Sequence, residues 1–263
     1  MTADDRATPG TAENRNDDDG TGRVLVIVPT YQERENLPLI IERIRTGVPD
    51  ADILVADDNS PDGTGALADE IAGRDDHVHV LHRDRKQGLG AAYVAGFRWG
   101  LERGYDTLVE MDADGSHQPE QLPDLLAALR AADVALGSRW VRGGTVRNWP
   151  KSREALSRSA NTYARLILGI PVRDATGGYR AYRARVLRSF NLDAVRSQGY
   201  CFQIELTLRS LRRGFRVVEV PIEFVERQHG ASKMSRAIVL EALWRVTVWG
   251  VQSRIGALDR KLV

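Results

Sequence analysis

Two aspartates one residue apart, Asp112 and Asp114, stand where the apolar run Thr107-Leu108-Val109-Glu110-Met111 ends. A strand that bends at its end turns both carboxylates toward one cleft. Hard divalent cations take oxygen ligands, and Mg²⁺ commonly uses one or two carboxylates together with substrate phosphates. Such an ion offsets the charge that builds on a diphosphate leaving group. An isolated Asp-X-Asp is a weak signal, because a solvated turn has the same composition. Further acids at equivalent positions strengthen it. Asp57-Asp58-Asn59-Ser60-Pro61-Asp62-Gly63-Thr64 follows the apolar Ile53-Leu54-Val55-Ala56. Acids there can accept hydrogen bonds from ribose hydroxyls or base edges, while Pro61-Asp62-Gly63 is equally a turn signal. Pro29-Thr30-Tyr31-Gln32-Glu33-Arg34-Glu35-Asn36 follows Val24–Val28. Its ring and carboxylate suit a nucleobase, or else acids at the positive end of a helix. Gln87-Gly88-Leu89-Gly90-Ala91 resembles a phosphate loop only weakly, lacking the Gly-X-Gly-X-X-Gly spacing after a strand.

The elements that must position these residues are legible in the hydrophobic pattern. A continuous apolar, mostly β-branched run at 24–28 and predominantly apolar runs at 53–56, 78–81, 107–111 and 134–137 predict buried strands. Helices are expected at about 37–45, 66–72, 90–101 and from Pro119 to about Arg130. This alternation implies an α/β fold with a doubly wound parallel sheet, whose ligands bind beyond the carboxyl ends of the strands. The acids above, and Ser138-Arg139, all fall there. The second half predicts a helix over about 154–168, a turn at Gly177-Gly178-Tyr179-Arg180 leading into a helix to about Arg188, and a helix from Phe202 to Arg213. Short strands at 215–220 and 222–225, separated by Pro221, and a last apolar helix at 237–251 complete it. Residues 1–22 are rich in Asp, Asn, Gly and Thr and are expected to be a disordered tail. The expected divisions are thus 1–22, a domain over 23–236, and a C-terminal amphipathic segment over 237–263.

Composition removes several classes. The 37 basic and 36 acidic side chains balance, and no basic run interleaves with aromatics, so nucleic acid is not expected as a partner. The segment from Arg139 to Arg188 is arginine-rich, which suits an anionic ligand. A single cysteine, Cys201, rules out an internal disulfide and reads as core filler. No signal peptide or bilayer-length apolar run is expected. His77, His79 and His82 read as surface residues flanking a strand, and His117 stands beside the acid pair. A nucleotide-dependent dehydrogenase is disfavoured by the weak glycine pattern and the lack of a proton-transfer histidine.

Six motifs occur in order: Pro29-Thr30-Tyr31-X-Glu33; Asp57-Asp58-X-Ser60-Pro61-Asp62-Gly63-Thr64; Asp112-Ala113-Asp114-X-Ser116-His117; Gly137-Ser138-Arg139; Thr176-Gly177-X-Tyr179-Arg180; and Arg227-X-X-Gly230-X-Ser232-Lys233. Together they resemble the GT-A glycosyltransferases of inverting family 2, and more narrowly the polyprenol-phosphate (dolichol-phosphate) mannose synthases. The resemblance spans residues 23 to about 236. It implies a GT-A, mostly parallel sheet flanked by helices, with acceptor-side helices and short strands at the C-terminal end. It implies GDP-mannose as donor, held by Pro29, Tyr31, Glu33, Ala56, Asp58, Asp112, Ala113 and Asp114, with Arg139, Arg227 and Lys233 on phosphates. Mg²⁺ or Mn²⁺ would be held by Asp112 and Asp114, Asp114 being closest. Some relatives carry a glutamine ligand where this chain has Ser116, a weaker ligand. Arg139 and Arg153 would receive the phosphate of a polyprenyl phosphate acceptor, and Asp114, Arg139 and Arg153 would be the catalytic residues. The implied place of work is peripheral, at the cytoplasmic face of a membrane, with a membrane-protein partner as one option. The alternatives are another donor such as UDP-glucose, or a non-catalytic nucleotide-sugar-binding subunit. A phosphate monoester is already anionic near neutral pH, so it can attack the sugar without a general base. It needs positioning and relief of repulsion, which paired arginines provide through forked hydrogen bonds.

Overall fold

The computed structural model describes residues 20–195, 197, 199–226 and 236–254, with only the backbone described at 236–242, 253 and 254. The expected strands form as β1 (Val24–Thr30), β2 (Asp52–Asp57), β3 (Val78–His82), β4 (Thr107–Glu110) and β5 (Val134–Ser138). They are joined by α1 (Leu37–Gly47), α2 (Thr64–Ala72), α3 (Leu89–Glu102) and α4 (Leu122–Ala128), the last entered through a 3₁₀ turn at Pro119–Gln121. Then come β6 (Thr145–Arg147), α5 (Lys151–Leu168), β7 (Arg180–Arg183), α6 (Ala184–Arg188), α7 (Tyr200–Arg212), β8 (Val217–Pro221), β9 (Glu223–Val225) and α8 (Arg236–Arg254).

The main sheet runs in the order β3-β2-β1-β4-β7-β5-β8, and β6 pairs with β9 in a second, two-stranded sheet. Every strand of the main sheet is parallel except β7, which lies antiparallel between β4 and β5. The β1 side chains alternate between two cores. Leu25 and Ile27 face α3, α6 and α7, whereas Val24, Val26 and Val28 face α1, α2 and α4. Both faces are covered by helices, which is why the strands read as unbroken apolar runs. Cys201 is buried, as expected of core filler.

Two sequence expectations are corrected, and one strand was not anticipated. Residues 180–183, read as part of a turn and helix, form β7. This strand is only four residues long and carries arginine at both ends, so it lacks an apolar run. Its pairing on both edges, with Glu110 opposite Arg180 on one side and Leu136 on the other, outweighs that weak local signal. The three-residue β6 was not anticipated, because its exposed Thr-Val-Arg has no periodicity to read. Pro221 does not separate strands but ends β8, where an edge strand tolerates the missing donor. At the N-terminus, Thr21 is already docked, its carbonyl accepting from the Thr107 hydroxyl at 2.7 Å; residues 1–19 of the expected tail lie outside the described residues.

The C-terminal helix packs on the domain with one side. Val246 is buried, the Thr247 hydroxyl meets Tyr163 at 2.6 Å, and a Cβ on Gly250 would collide with Ile167. Its other side exposes Trp244 and Val251. No helix among the described residues is long and apolar enough to cross a membrane.

Candidate active site

Because β1, β2, β4 and β5 are parallel, Thr30, Asp57, Glu110 and Ser138 end at one edge of the sheet. The antiparallel β7 starts at the same edge, bringing Gly178 beside the acid pair. A Cβ there would stand 3.9 Å from Asp112 Oδ2 and 3.5 Å from His117 Cε1.

The chain turns sharply after β4, with Gly115 at φ +75°. The buried Tyr93 hydroxyl donates to Asp112 Oδ1 at 3.0 Å, and the Ser116 amide donates to Asp114 Oδ1 at 3.0 Å. His117 is fully buried, stacked on Tyr179 at 5.0 Å and edge-on to Phe224. Its Nδ1 accepts the Asp112 amide at 3.0 Å, which puts the proton of the neutral ring on Nε2. Burial lowers its pKa despite the nearby aspartates, so it stays neutral and shapes the bend. Ser116 is buried and bonded through both backbone groups, to Asp114 and to Val225.

Among the described residues no group of three or more His, Cys, Asp or Glu gathers as a metal cage. Asp112 and Asp114 remain a two-carboxylate, all-oxygen pair. That donor set fits Mg²⁺ or Mn²⁺, which leave the other positions to phosphates and water.

Beneath the pair, Glu110 is fully buried and burial raises its pKa to about 8. Gln203 Nε2 donates to Glu110 Oε2 at 2.6 Å, while Oε1 of each residue has no donor among the described residues. A proton on Glu110 satisfies one of these oxygens, in keeping with that shift. Arg180 pins the adjacent loop, donating to the carbonyls of Gly177, Ala175 and Gln203.

The expected nucleoside residues line the ends of β1 and β2. Tyr31 has Lys86 Nζ 3.8 Å from its ring centroid, and Glu33 accepts from Asn36 at 2.7 Å. Pro29 and Ala56 are register partners across the two strands. Asp58 is buried, which raises its pKa, and it pairs with Arg83. Its neighbour Asp57 is internal scaffolding, accepting from Thr30, Ser60 N and Ser60 Oγ. Asp62 is a turn former, accepting from the Thr64 amide and hydroxyl.

On the far side of the edge lies a group of arginines and aromatics. Arg139 comes to the site, but its fork does not point to open solvent. Nε and Nη2 each reach Asp174 at 2.7 Å, the backbone amide reaches it at 2.9 Å, and Nη2 also meets Thr176. Both partners are buried. Burial alone would raise the Asp174 carboxyl, but the charge and hydrogen bonds of Arg139 hold it below the usual carboxylate range. Nη1 makes no hydrogen bond among the described residues. The guanidinium sits 5.3–5.5 Å from the rings of Trp140, Trp149 and Phe224. Arg153 stacks on Trp149 at 4.1 Å and pairs with Glu226. Phe224 thus touches both His117 and Trp149, at 5.6 and 5.4 Å, and joins the acid pair to the arginines.

Arg227, Ser232 and Lys233 lie outside the described residues. Sequence reasoning missed Glu110, whose signal was a charge inside an apolar run. It also missed Tyr93, Asp174, Gln203, Trp149 and Glu226, which become neighbours only through the long-range topology.

Comparison with known proteins gives the family and agrees with the fold. Residues 25–190 match the family described as glycosyl transferase family 2. The chain is 61% identical over 237 residues to a polyprenol monophosphomannose synthase of Mycolicibacterium smegmatis, covering 89% of each chain. It is 59% identical over 240 residues to an undecaprenyl-phosphate mannosyltransferase of Micrococcus luteus, covering 91% of this chain and 99% of the other. Among solved structures, glucosyl-3-phosphoglycerate synthase from Mycobacterium tuberculosis, crystallised with Mn²⁺, UDP and glucosyl-3-phosphoglycerate, shares the fold. The TM-score is 0.61 at 21% identity, covering 90% of this chain and 81% of that one. The chain belongs to glycosyltransferase family 2 and is a glycosyltransferase of GT-A fold.

Proposed function

We propose that this enzyme transfers mannose from GDP-mannose to a polyprenyl monophosphate, with inversion, giving polyprenyl-phosphate β-mannose. The observation that carries the reading is the pair of guanidinium groups, Arg139 and Arg153, held against one indole on the same sheet edge as Asp112 and Asp114. The names of the two mannosyl-transferring relatives support it.

Asp112 and Asp114 hold Mg²⁺ or Mn²⁺, which when bound offsets charge on the diphosphate leaving group. Tyr93 and the Ser116 amide fix the two carboxylates in place. Pro29, Tyr31, Glu33, Ala56 and Asp58 hold the nucleoside, and Arg227 and Lys233 bind donor phosphates. Arg139 and Arg153 take the acceptor phosphate and offset its repulsion from the donor. The acceptor oxygen is already anionic, so no proton must be removed. This agrees with a neighbouring histidine, His117, that is buried, neutral and engaged through Nδ1. A merely nucleotide-sugar-binding subunit could use the carboxylate pair but would have no need of the second arginine.

The acceptor carries a lipid tail, so the enzyme works peripherally, at the cytoplasmic face of the membrane. The exposed Trp244 and Val251 of α8 suit the interface, and a membrane-protein partner on the same face is the second option. The test uses labelled GDP-mannose and, separately, UDP-glucose, each with a short polyprenyl phosphate and Mg²⁺, followed by lipid extraction. Labelled lipid from GDP-mannose alone is the expected result. Labelled lipid from UDP-glucose alone would replace the donor, and none from either would sink the reading.

A further inference from the structure

Three buried N–H groups near the arginines have no acceptor among the described residues: Nε1 of Trp140, Nε1 of Trp149 and Nε of Arg153. A buried donor without a partner costs about 1–3 kcal/mol, so native proteins rarely keep one without reason. Here the three occur together. Trp140 and Trp149 are 6.4 Å apart and nearly edge to face, and Arg153 lies over the face of Trp149. Arg139 lies 5.3 and 5.5 Å from the two indole centroids, and Arg158 lies over the Trp140 ring at 4.1 Å. Three arginines are thus gathered against two indoles, and the buried polar atoms left unpartnered here are all donors. Such a site is matched by an anion with several acceptor oxygens. Each arginine already has a carboxylate: Asp174 on Arg139, Glu226 on Arg153 Nη1 and Glu154 on Arg158; of these Glu226 is the partly exposed one beside Trp149.

We propose that Trp149 is a phosphate-binding residue of the acceptor site. Its indole N–H donates to a phosphate oxygen, while its ring face holds Arg153 in the orientation that the same phosphate needs. The phosphate displaces Glu226 from Arg153 as it enters. This inference rests on the reading that the acceptor is a prenyl monophosphate. It explains why a tryptophan, rather than any flat apolar residue, stands under Arg153. A phenyl ring would keep the cation–π contact and lose the donor.

Two measurements test it. In the first, the five indole N–H resonances of ¹⁵N-labelled protein are followed by NMR, with that of Trp149 assigned from Trp149→Phe. A short-chain prenyl monophosphate is titrated, with the matching prenyl alcohol and inorganic phosphate as separate arms. The Trp149 N–H should move downfield with the prenyl monophosphate and not with the alcohol. A comparable shift with inorganic phosphate would assign recognition to the phosphate alone, and a shift only with the monoester to phosphate and tail together; both support the donor role. In the second, Trp149→Phe should raise the acceptor KM about tenfold or more, the loss expected for a hydrogen bond to a charged group, with the GDP-mannose KM unchanged. A stationary Trp149 resonance at acceptor concentrations that saturate mannose transfer would overturn the proposal, as would an unchanged acceptor KM in Trp149→Phe. Failure of the underlying reading looks different: wild-type protein would then make no lipid-linked mannose at all.

Discussion

Replacing Asp174 by Asn should destabilise the enzyme by about 3–5 kcal/mol, the range for removing one partner of a buried ion pair. Asp174 accepts from the Arg139 amide, Nε and Nη2 and from Thr176. An amide of the same shape offers one acceptor oxygen and turns an NH₂ toward guanidinium donors. The charge on Arg139 then stays buried without compensation. Domains of ordinary stability have about 5–15 kcal/mol in total, so the loss is large yet survivable. Urea unfolding with linear extrapolation at pH 7.5 measures it. The pH dependence follows from the lowered Asp174 pKa. The stabilisation is present above the ordinary aspartate pKa of about 3.9 and fades as pH falls through the lower folded value. The gap between wild type and variant should therefore be widest near neutral pH and close in acid. Replacing both partners, as Arg139→Met with Asp174→Leu, should cost less than the sum of the single changes, since an apolar pair avoids desolvating two charges. A loss below about 1 kcal/mol for Asp174→Asn would refute the claim that this pair orients Arg139.

Asp114→Ala should abolish transfer without unfolding the protein, and EDTA should mimic it until Mg²⁺ or Mn²⁺ is restored; full activity in metal-free buffer would exclude a metal. Arg153→Lys keeps the charge and loses the planar fork, so acceptor-side kcat/KM should fall more than about tenfold, or about 1.4 kcal/mol, and a collapse of donor affinity instead would move Arg153 to the donor site. Glu110 carries a raised pKa, so its contribution to stability is full below its ordinary 4.5 and is lost as pH rises toward about 8. In EDTA, melting curves of wild type and Glu110→Gln should therefore diverge in favour of the variant between pH 5 and about 8, and parallel curves would show that Glu110 does not titrate with folding. Truncation after Arg236 would uncover Ile167, so Trp244→Ser is the cleaner membrane test: its flotation with anionic liposomes should weaken, and equal flotation would remove α8 from the membrane argument.

The sequence made the sheet edge legible because parallel strands buried on both faces leave unbroken apolar runs, and the acids and Ser138-Arg139 mark where those runs stop. It could not show what sits under those residues. Glu110 and Gln203 are 93 positions apart and meet only because α7 packs beneath β4. Asp174 faces Arg139 across 35 positions and carries no local mark that separates it from a loop aspartate. The strand β7 was hidden for the same reason, since its stability comes from two neighbours rather than from its own four residues. This separation has a chemical consequence. Motifs at strand ends name the groups proposed to meet substrate, whereas their aim is set by partners distant in the chain, such as Tyr93 on α3 for Asp112 and Asp174 for Arg139. Arg139 shows the difference most sharply. As a residue in a motif it is a free cation waiting for a phosphate. In the fold it is a neutralised half of a buried pair, with one nitrogen left over. The acceptor phosphate must then draw more of its hydrogen bonding from Arg153 and the indole beneath it. That shift of weight, from the arginine in the motif to the one outside it, is what the Arg153 and Trp149 variants measure.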